Sequence, residues 1–216
     1  EANRVFTRPQ LNYQNVSFNA GFEFRPRAMF DLKFNYAKVG RAPNVAELFS
    51  DGLHHSAGVI ETGDLGLKNE QGHQFNLNIN SKFNVLSGLN ISVNPYFFIT
   101  KNFINQVPVG IKSTIRGVFP EWAYQQIDAR MYGADVDINF KLNENFTYSA
   151  RGSYVYGQDV SNNEPLILMM PPNFSNAIQF KKESWNQFYI SVENHTSIKQ
   201  SRFPIRNLPL EVYEND

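Results

Sequence analysis

The stretch AMFDLKFNYA, residues 28–37, alternates strictly between apolar and polar side chains. The apolar positions are Phe30, Leu32, Phe34 and Tyr36, and the polar positions are Asp31, Lys33 and Asn35. Successive side chains of a β-strand point to opposite faces of the sheet. This spacing therefore predicts a strand with one apolar and one polar face.

The same alternation recurs along the chain and predicts about eight strands, most of them nine to twelve residues long. They are residues 16–24, 28–37, 73–83, 88–98, 133–142, 146–156, 173–180 and 185–195. The chain contains 19 Phe and 10 Tyr residues, and aromatic side chains favour strands. The sequence therefore predicts an all-β antiparallel fold.

The predicted connections alternate between short and long. Paired strands are joined by a few residues, as at 25–27 and 143–145, whereas irregular loops of roughly 34, 27 and 16 residues separate the pairs. Successive connections of an antiparallel sheet lie at opposite ends, so the short turns share one rim and the long loops the other. This is typical of a transmembrane β-barrel with short periplasmic turns and long extracellular loops. A soluble β-sandwich is the alternative.

Composition narrows the possible functions. The chain has 20 basic and 20 acidic residues, so it lacks the basic surface that nucleic-acid binding requires. It has no cysteine, which excludes disulfides and thiolate sites. No apolar run is long enough for a membrane-spanning helix. Catalytic and phosphate-binding motifs are not found either, so we expect neither an enzyme nor a bound cofactor.

The segment between the second and third predicted strands carries a recognisable motif. It reads Gly40-Arg41-Ala42-Pro43, then Glu47-Leu48-Phe49, then Leu67-Lys68 and Glu70. Together with Tyr132-Gly133-Ala134 and Pro171-Pro172, it resembles the barrel region of TonB-dependent outer-membrane receptors. Two positions depart from the usual motif: Asp64-Leu65-Gly66 stands where Asn-Pro-x is usual, and Asn69 where Pro is usual.

The resemblance implies an integral barrel in the outer membrane of a Gram-negative cell, in contact with outer-membrane lipid. It also implies a plug domain, the TonB complex as a partner through N-terminal parts, and uptake of an extracellular small ligand such as a siderophore or metal complex. A structural or adhesive outer-membrane barrel that transports nothing is the alternative.

Residues 1–216 are then expected to be part of a barrel of about 22 strands, with the plug domain and the final strands absent. The last predicted strand runs toward the long-loop side, so residues 207–216 are expected to lie outside the cell. A closed eight-stranded barrel is the structural alternative.

Two adjacent histidines, His54 and His55, are the candidate metal ligands. Imidazole suits transition metals, and Glu47, Asp51 or Glu61 could assist. Neighbouring side chains often point apart, however, so a solvated loop is the alternative. The candidate ligand contacts in the next long loop, residues 101–128, are Trp122 and Tyr124.

A structural role is expected for the motif residues Arg41, Pro43, Glu47, Leu48 and Phe49. Pro43 restricts the preceding residue to extended conformations. The sequence that follows it predicts one short helical turn capped by Asn44. We expect this turn to fold back against the barrel wall.

Overall fold

The computed structural model describes residues 9–204, which form one sheet with very little helix. In chain order the elements are β1 (Phe18–Arg27), β2 (Phe30–Arg41), α1 (Val45–Phe49), β3 (Asp51–His54), β4 (Val59–Thr62), β5 (Glu70–Phe83), β6 (Leu89–Thr114), β7 (Gly117–Lys141), β8 (Phe146–Asp159), β9 (Glu164–Pro165), β10 (Asn173–Lys182), a 3₁₀ turn (Glu183–Trp185) and β11 (Phe188–Ser197). The long strands follow the order β1-β2-β5-β6-β7-β8-β10-β11, and all pairs along this path are antiparallel. The eight predicted strands and the all-β class are confirmed.

Alternation within each strand gives the sheet one apolar and one polar face. One row of successive cross-strand partners is Leu32, Ile79, Val93 and Val136. The adjacent row on the other face is Asp31, Asn80, Ser92, Asp137 and Arg151. Polar groups bond to each other on that face; the Nε of Arg151 donates to Asp137 at 2.9 Å. The polar face is thus suited to contact with water.

Aromatic residues cross the apolar face in a continuous row near the long-loop end of the sheet. The aromatic row consists of Tyr36, Phe75, Phe97, Tyr132 and Tyr156, which are successive cross-strand partners. Within β5, Phe75 and Phe83 are separated by about 26 Å along the strand at about 3.3 Å per residue. With a tilt of about 40°, this spans about 20 Å of thickness, close to the apolar band of about 25 Å of outer-membrane barrels.

The connections are sorted by length as the sequence predicts, except for the one between β6 and β7. Turns of a few residues join β1 to β2, β5 to β6, β7 to β8 and β10 to β11 at one end of the sheet. At the other end, long segments join β2 to β5 and β8 to β10, whereas β6 and β7 are joined there by only Ile115 and Arg116. The first turn differs in detail, because it falls at Ala28 and Met29 and not at 25–27. The register shifts between Phe24 and Arg27, so that Pro26, which has no amide hydrogen, lies in an irregular part of β1.

The prediction of an irregular loop at residues 101–128 is wrong. Strands β6 and β7 continue beyond the rest of the sheet and form a long hairpin, residues 102–128, which we call the distal arm. The register shifts twice in β6, between Thr100 and Phe103 and between Pro108 and Gly110. Each shift breaks the period of two residues, so the side chains that follow it change face. The alternation typical of a strand is therefore not recognisable in the sequence.

The segment between β2 and β5, which was also predicted as irregular, contains helix α1 and the β3–β4 hairpin. Strand β4 then pairs with the distal arm in parallel orientation, where Ile60, Glu61 and Thr62 match Glu121, Trp122 and Ala123. The short helical turn capped by Asn44 is confirmed.

Over residues 9–204 the sheet is open, with β1 and β11 at its two ends. The alternative of a closed eight-stranded barrel is therefore wrong for this range, and a two-sheet sandwich is not formed either. Residues 207–216, expected outside the cell, lie beyond the described residues. No helix within residues 9–204 is long and apolar enough to cross a membrane.

The two faces give the first prediction. Val136 lies between Val93 and Gly152 on the apolar face, whereas Asn139 lies on the polar face. In the full-length protein in phospholipid bilayers, Val136→Arg should lower the free energy of unfolding by about 2–4 kcal/mol, because it places a charge in lipid. The control, Asn139→Arg, should change it by less than about 1 kcal/mol. Urea unfolding measures both, and equal losses would contradict the assignment of the faces.

Candidate functional site

Arg41, the last residue of β2, connects three elements through its guanidinium group. Its Nε and Nη2 donate to Glu70 at 2.6 and 2.7 Å. Its Nη1 donates to both carboxylate oxygens of Glu47, at 3.0 and 2.9 Å. Glu70 also accepts a hydrogen bond from the Ile104 amide at 2.8 Å. We call these three charged residues the Arg41 clamp; it ties β2, α1 and β5 together and reaches β6.

Burial makes the Arg41 clamp selective for arginine. Glu47 and Glu70 are each only 8% exposed, so both carboxylates need partners for their charges. A planar guanidinium supplies a fork of donors that matches a carboxylate, which a lysine ammonium cannot do.

Helix α1 is fixed by its own cap and by apolar packing. The Asn44 side chain accepts from the Glu47 amide at 2.9 Å, and the Glu47 side chain accepts from the Asn44 amide at 2.7 Å. Leu48 packs with Leu67 and Ile104 in a small buried cluster. Among the other motif residues, Pro43 is buried, whereas Phe49 is 51% exposed.

Gln126 of β7 pins the distal arm to the segment that follows β4. Its side chain accepts from the Lys68 amide at 2.9 Å and donates to the carbonyls of Lys68 and Asn102 at 2.7 and 2.9 Å. Tyr13 donates to the Leu67 carbonyl at 3.1 Å and packs on the same cluster. The segment 42–69 and the distal arm therefore form one connected body at the long-loop end.

Glu61 links the candidate ligand residues. It accepts from His54 Nδ1 at 3.0 Å and from Gln106 Nε2 at 3.1 Å, and it is the backbone neighbour of Trp122. Burial raises the pKa of Tyr124, and the negative charge of Glu61 raises it further, although a hydrogen bond with Gln106 acts in the opposite direction. The Tyr124 phenol thus stays protonated at neutral pH and keeps a hydrogen to donate.

The two histidines have different partners. His54 lies between Glu61 and Ser56, whose hydroxyl is 3.1 Å from its Nε2. His55 Nε2 accepts from the Arg116 guanidinium near the tip of the distal arm at 3.0 Å. Among residues 9–204, no group of three His, Cys, Asp or Glu side chains is placed to hold a metal. Joint metal binding by His54 and His55 stays a prediction.

Trp122 lines a cavity of about 230 Å³ together with Pro108, Leu166, Ile167, Leu168, Met169, Gln200, Arg202, Phe203 and Pro204. The indole Nε1 is buried and has no hydrogen-bond partner among the described residues. A ligand that carries a hydrogen-bond acceptor would pair with this indole N–H if it entered the cavity.

Sequence reasoning missed two parts of this region. Gln126 gave no signal, because its role depends on the register of the distal arm. The cavity wall at 166–169 lies in the apolar run LILMM, residues 166–170, between β9 and β10. Because that run is apolar but does not alternate with polar residues, it indicates a packed loop and could have been recognised from the sequence.

The antiparallel sheet, its two unlike faces and its short turns at one end are typical of outer-membrane β-barrels. The sequence matches the family described as TonB dependent receptor-like, beta-barrel, over residues 1–203, and the chain belongs to this family. Its barrels are outer-membrane proteins. No curated protein matches the chain.

Several solved structures share the fold at low sequence identity. The copper transporter OprC has a TM-score of 0.70 and 17% identity, over 87% of this chain and 27% of that one. The siderophore receptor PirA from Acinetobacter baumannii has a TM-score of 0.55 and 16% identity, over 77% and 26%. A double mutant of the Serratia marcescens hemophore receptor HasR, in complex with its hemophore HasA and heme, has values of 0.58 and 15%, over 77% and 30%. The chain spans only about a quarter to a third of their lengths.

The Arg41 clamp gives the second prediction. In the full-length protein, Arg41→Ala should leave two buried carboxylates without a counter-charge, at a local cost of about 3 kcal/mol. Hydrogen exchange in segment 42–69 should then become about 100-fold faster. Arg41→Lys should restore only part of the protection, because the ammonium cannot bond both carboxylates as a fork.

The matched control for this experiment is Arg151→Ala. Arg151 also pairs with a carboxylate, but its side chain is 75% exposed, and exposed pairs contribute little. Unchanged exchange in Arg41→Ala, or an equal effect of Arg151→Ala on the same segment, would show that the clamp does not hold the segment.

Proposed function

We propose that this chain is part of the wall and outer loops of an outer-membrane receptor that takes up a scarce nutrient, such as a siderophore or a metal complex, in a TonB-dependent way. The plug domain and the contact with the TonB complex would come from parts of the protein outside this sequence. The chain itself would act without catalysis and without a bound cofactor.

The observation that carries the proposal is the family match over residues 1–203, which covers nearly the whole chain. Solved structures of this fold include transporters or receptors for copper, a siderophore and a hemophore. Barrels in this family that differ in ligand would differ in their loops, since loops carry specificity on a rigid scaffold. The long-loop end is accordingly where the ligand would bind.

The connected body at this end supports a role in capture. Segment 42–69 and the distal arm hold Glu61 beside Trp122, with His54 and Gln106 bonded to the same carboxylate. We propose that Trp122 and Tyr124 contact the ligand directly, through an aromatic surface and a phenol hydrogen. For a metal-containing ligand, His54 or His55 would exchange its present partner for the metal.

The uptake of radiolabelled ferric siderophores, copper and haemin into cells tests the proposal. Cells that express the full-length protein and lack their own receptors should take up one ligand saturably. Loss of TonB, or a protonophore, should abolish this uptake. If the protein inserts into the outer membrane but the cells take up none of these compounds in an energy-dependent way, the alternative of a structural or adhesive barrel is favoured.

The two tryptophans of the chain provide a matched pair of variants. Trp122 lies at the long-loop end, and Trp185 follows β10 at the short-turn end. For the ligand identified by uptake, Trp122→Ala should weaken binding about tenfold, because stacked aromatic contacts contribute about 1–1.5 kcal/mol. Trp185→Ala should change binding less than about twofold. Equal effects of the two substitutions on binding would show that Trp122 does not contact the ligand.

Metal contact needs its own test. If the ligand contains a metal, the double variant His54→Ala/His55→Ala should weaken its binding about tenfold or more, because loss even of a group that only supports a metal ligand costs about 10–100-fold in affinity. His195→Ala is the matched control, because His195 lies in β11 beside Glu193. Unchanged affinity of the double variant, measured by calorimetry, would exclude direct metal contact by these two residues.

A further inference from the structure

The cavity beside Trp122, which we call the Trp122 cavity, lies where three parts of the chain meet at the long-loop end. The distal arm contributes Trp122, and the other walls come from residues 166–169 and 200–204. The Gln200 side chain donates to the Met169 carbonyl at 2.9 Å and so joins these two walls. The cavity is therefore built by tertiary contacts and not by a single loop.

The walls of the Trp122 cavity are mostly apolar, and its volume suits a small hydrocarbon group. The apolar residues of the lining, besides Trp122, are Pro108, Leu166, Ile167, Leu168, Met169, Phe203 and Pro204. An apolar cavity of about 150 Å³ in a protein can hold a benzene molecule. At the same volume per carbon atom, the cavity of about 230 Å³ would hold about nine carbon atoms. A two-ring system or a short acyl chain matches this size.

The polar groups that remain available on the lining residues are hydrogen-bond donors. The Trp122 Nε1 is buried and has no partner among the described residues. The Arg202 guanidinium carbon lies 3.5 Å from the ring centroid of Tyr156. That ring covers one flat side of the guanidinium, so the N–H groups, which lie in its plane, can still donate to an anion. Gln200 is already bonded, because it also accepts from the Arg202 amide at 3.1 Å.

No acidic side chain neutralises this donor set. Within residues 9–204, no carboxylate forms an ion pair with Arg202, and none of the residues that line the cavity is acidic. Glu61, the backbone neighbour of Trp122, does not line the cavity, and its carboxylate accepts from His54 and Gln106. The Trp122 cavity therefore combines apolar walls with an unneutralised cation.

Leu168 marks the mouth of the Trp122 cavity. It lines the cavity and yet is 88% exposed, so it lies where the cavity opens to water. Its φ of 55° is in the left-handed region, which bulky side chains rarely adopt. Strained residues of this kind cluster at ligand sites. An apolar ligand at the mouth would cover the Leu168 side chain and remove it from water.

We propose that the Trp122 cavity receives an apolar acid: a ring system or short acyl chain fills the cavity, and a carboxylate accepts from Arg202 and from Trp122 Nε1. The inference rests on the proposed function, because it names the chemistry of the ligand bound at the long-loop end. A carboxylate matches the fork of donors on a guanidinium.

Both halves of such a ligand are needed to match the cavity. A neutral hydrocarbon would cover the Arg202 charge without pairing it, which costs free energy. A small inorganic anion would pair with Arg202 but would leave the apolar walls and Leu168 in contact with water. An apolar acid satisfies the cation and the walls together.

Calorimetric titration of the full-length protein in detergent micelles tests this proposal, with naphthoate as the probe. The heat of titration into protein-free micelles is subtracted. Naphthamide is the matched probe, because it has the same rings and a carbonyl acceptor but no charge. Naphthoate should bind about tenfold more tightly than naphthamide, since hydrogen bonds to a charged group are the stronger ones. Acetate at the same concentration should not compete, because it lacks the rings.

Substitutions separate the contributions of charge, N–H donor and apolar contact. Arg202→Gln should weaken naphthoate binding about tenfold and change naphthamide binding less than about twofold. Trp122→Phe, which keeps a ring but removes the N–H, should weaken naphthoate binding about fivefold. Leu168→Ala should weaken both probes by the same factor, about fivefold, because apolar contact does not depend on charge.

Arg130→Gln is the matched control. Arg130 lies at the same end of the sheet and donates to the neutral side chain of Gln158, but it does not line the Trp122 cavity. This variant should leave the binding of both probes unchanged. An equal loss of naphthoate binding in Arg130→Gln and Arg202→Gln would overturn the proposal.

Two further results would also overturn it: equal affinity of the wild type for the two probes, or naphthoate affinity that Arg202→Gln leaves unchanged. The wild-type comparison needs no variant, so it decides the matter even if Arg202→Gln does not fold. Uptake by cells separates this result from the proposed function. If TonB-dependent uptake is observed but the protein does not prefer the acid, the cavity proposal alone fails. If the protein prefers the acid but no compound is taken up, the receptor function fails and the binding chemistry of the cavity stands.

Discussion

Backbone hydrogen bonding is the constraint on which the rest of this structure depends. A strand in lipid finds no water for its amides and carbonyls, so each group needs a partner in a neighbouring strand. The unbroken antiparallel path from β1 to β11 supplies these partners for every inner strand. The period of two residues then leaves one face for lipid and the other for water, and it confines irregular chain to the two ends of the sheet.

At the long-loop end, away from lipid, polar groups also find partners within the protein, but they do so mainly through side chains. Segment 42–69 satisfies its polar groups through the Arg41 clamp, the Asn44 cap and the bonds of Gln126, and it buries Leu48 and Leu67 against β6. The distal arm gains a third strand, β4, along part of its length. These contacts order the segment in advance, so the ligand proposed to bind there would lose little free energy in ordering the protein.

The sequence alone was sufficient for the eight long strands, for the short turns at one end of the sheet and for the short helix, because each of these depends on local periodicity or on local capping. It was insufficient for the distal arm, where the register shifts near Thr100 and Pro108 interrupt the period. The pairing of β4 with β7 and the role of Gln126 could not be predicted, because both join residues that are about 60 positions apart. The contact of His55 with Arg116, which is 61 positions away, was unpredictable for the same reason.

The parallel pairing of β4 with β7 also has a consequence for the order of assembly. Strand β4 precedes β5 and β6 in the chain, yet its partner lies in the return strand of the distal arm. Contacts between residues far apart in sequence form late, because a long stretch of chain must first be closed into a loop. Segment 42–69 therefore reaches its final structure only after β7 is in place. An ordered segment 42–69 thus indicates that the distal arm has already formed.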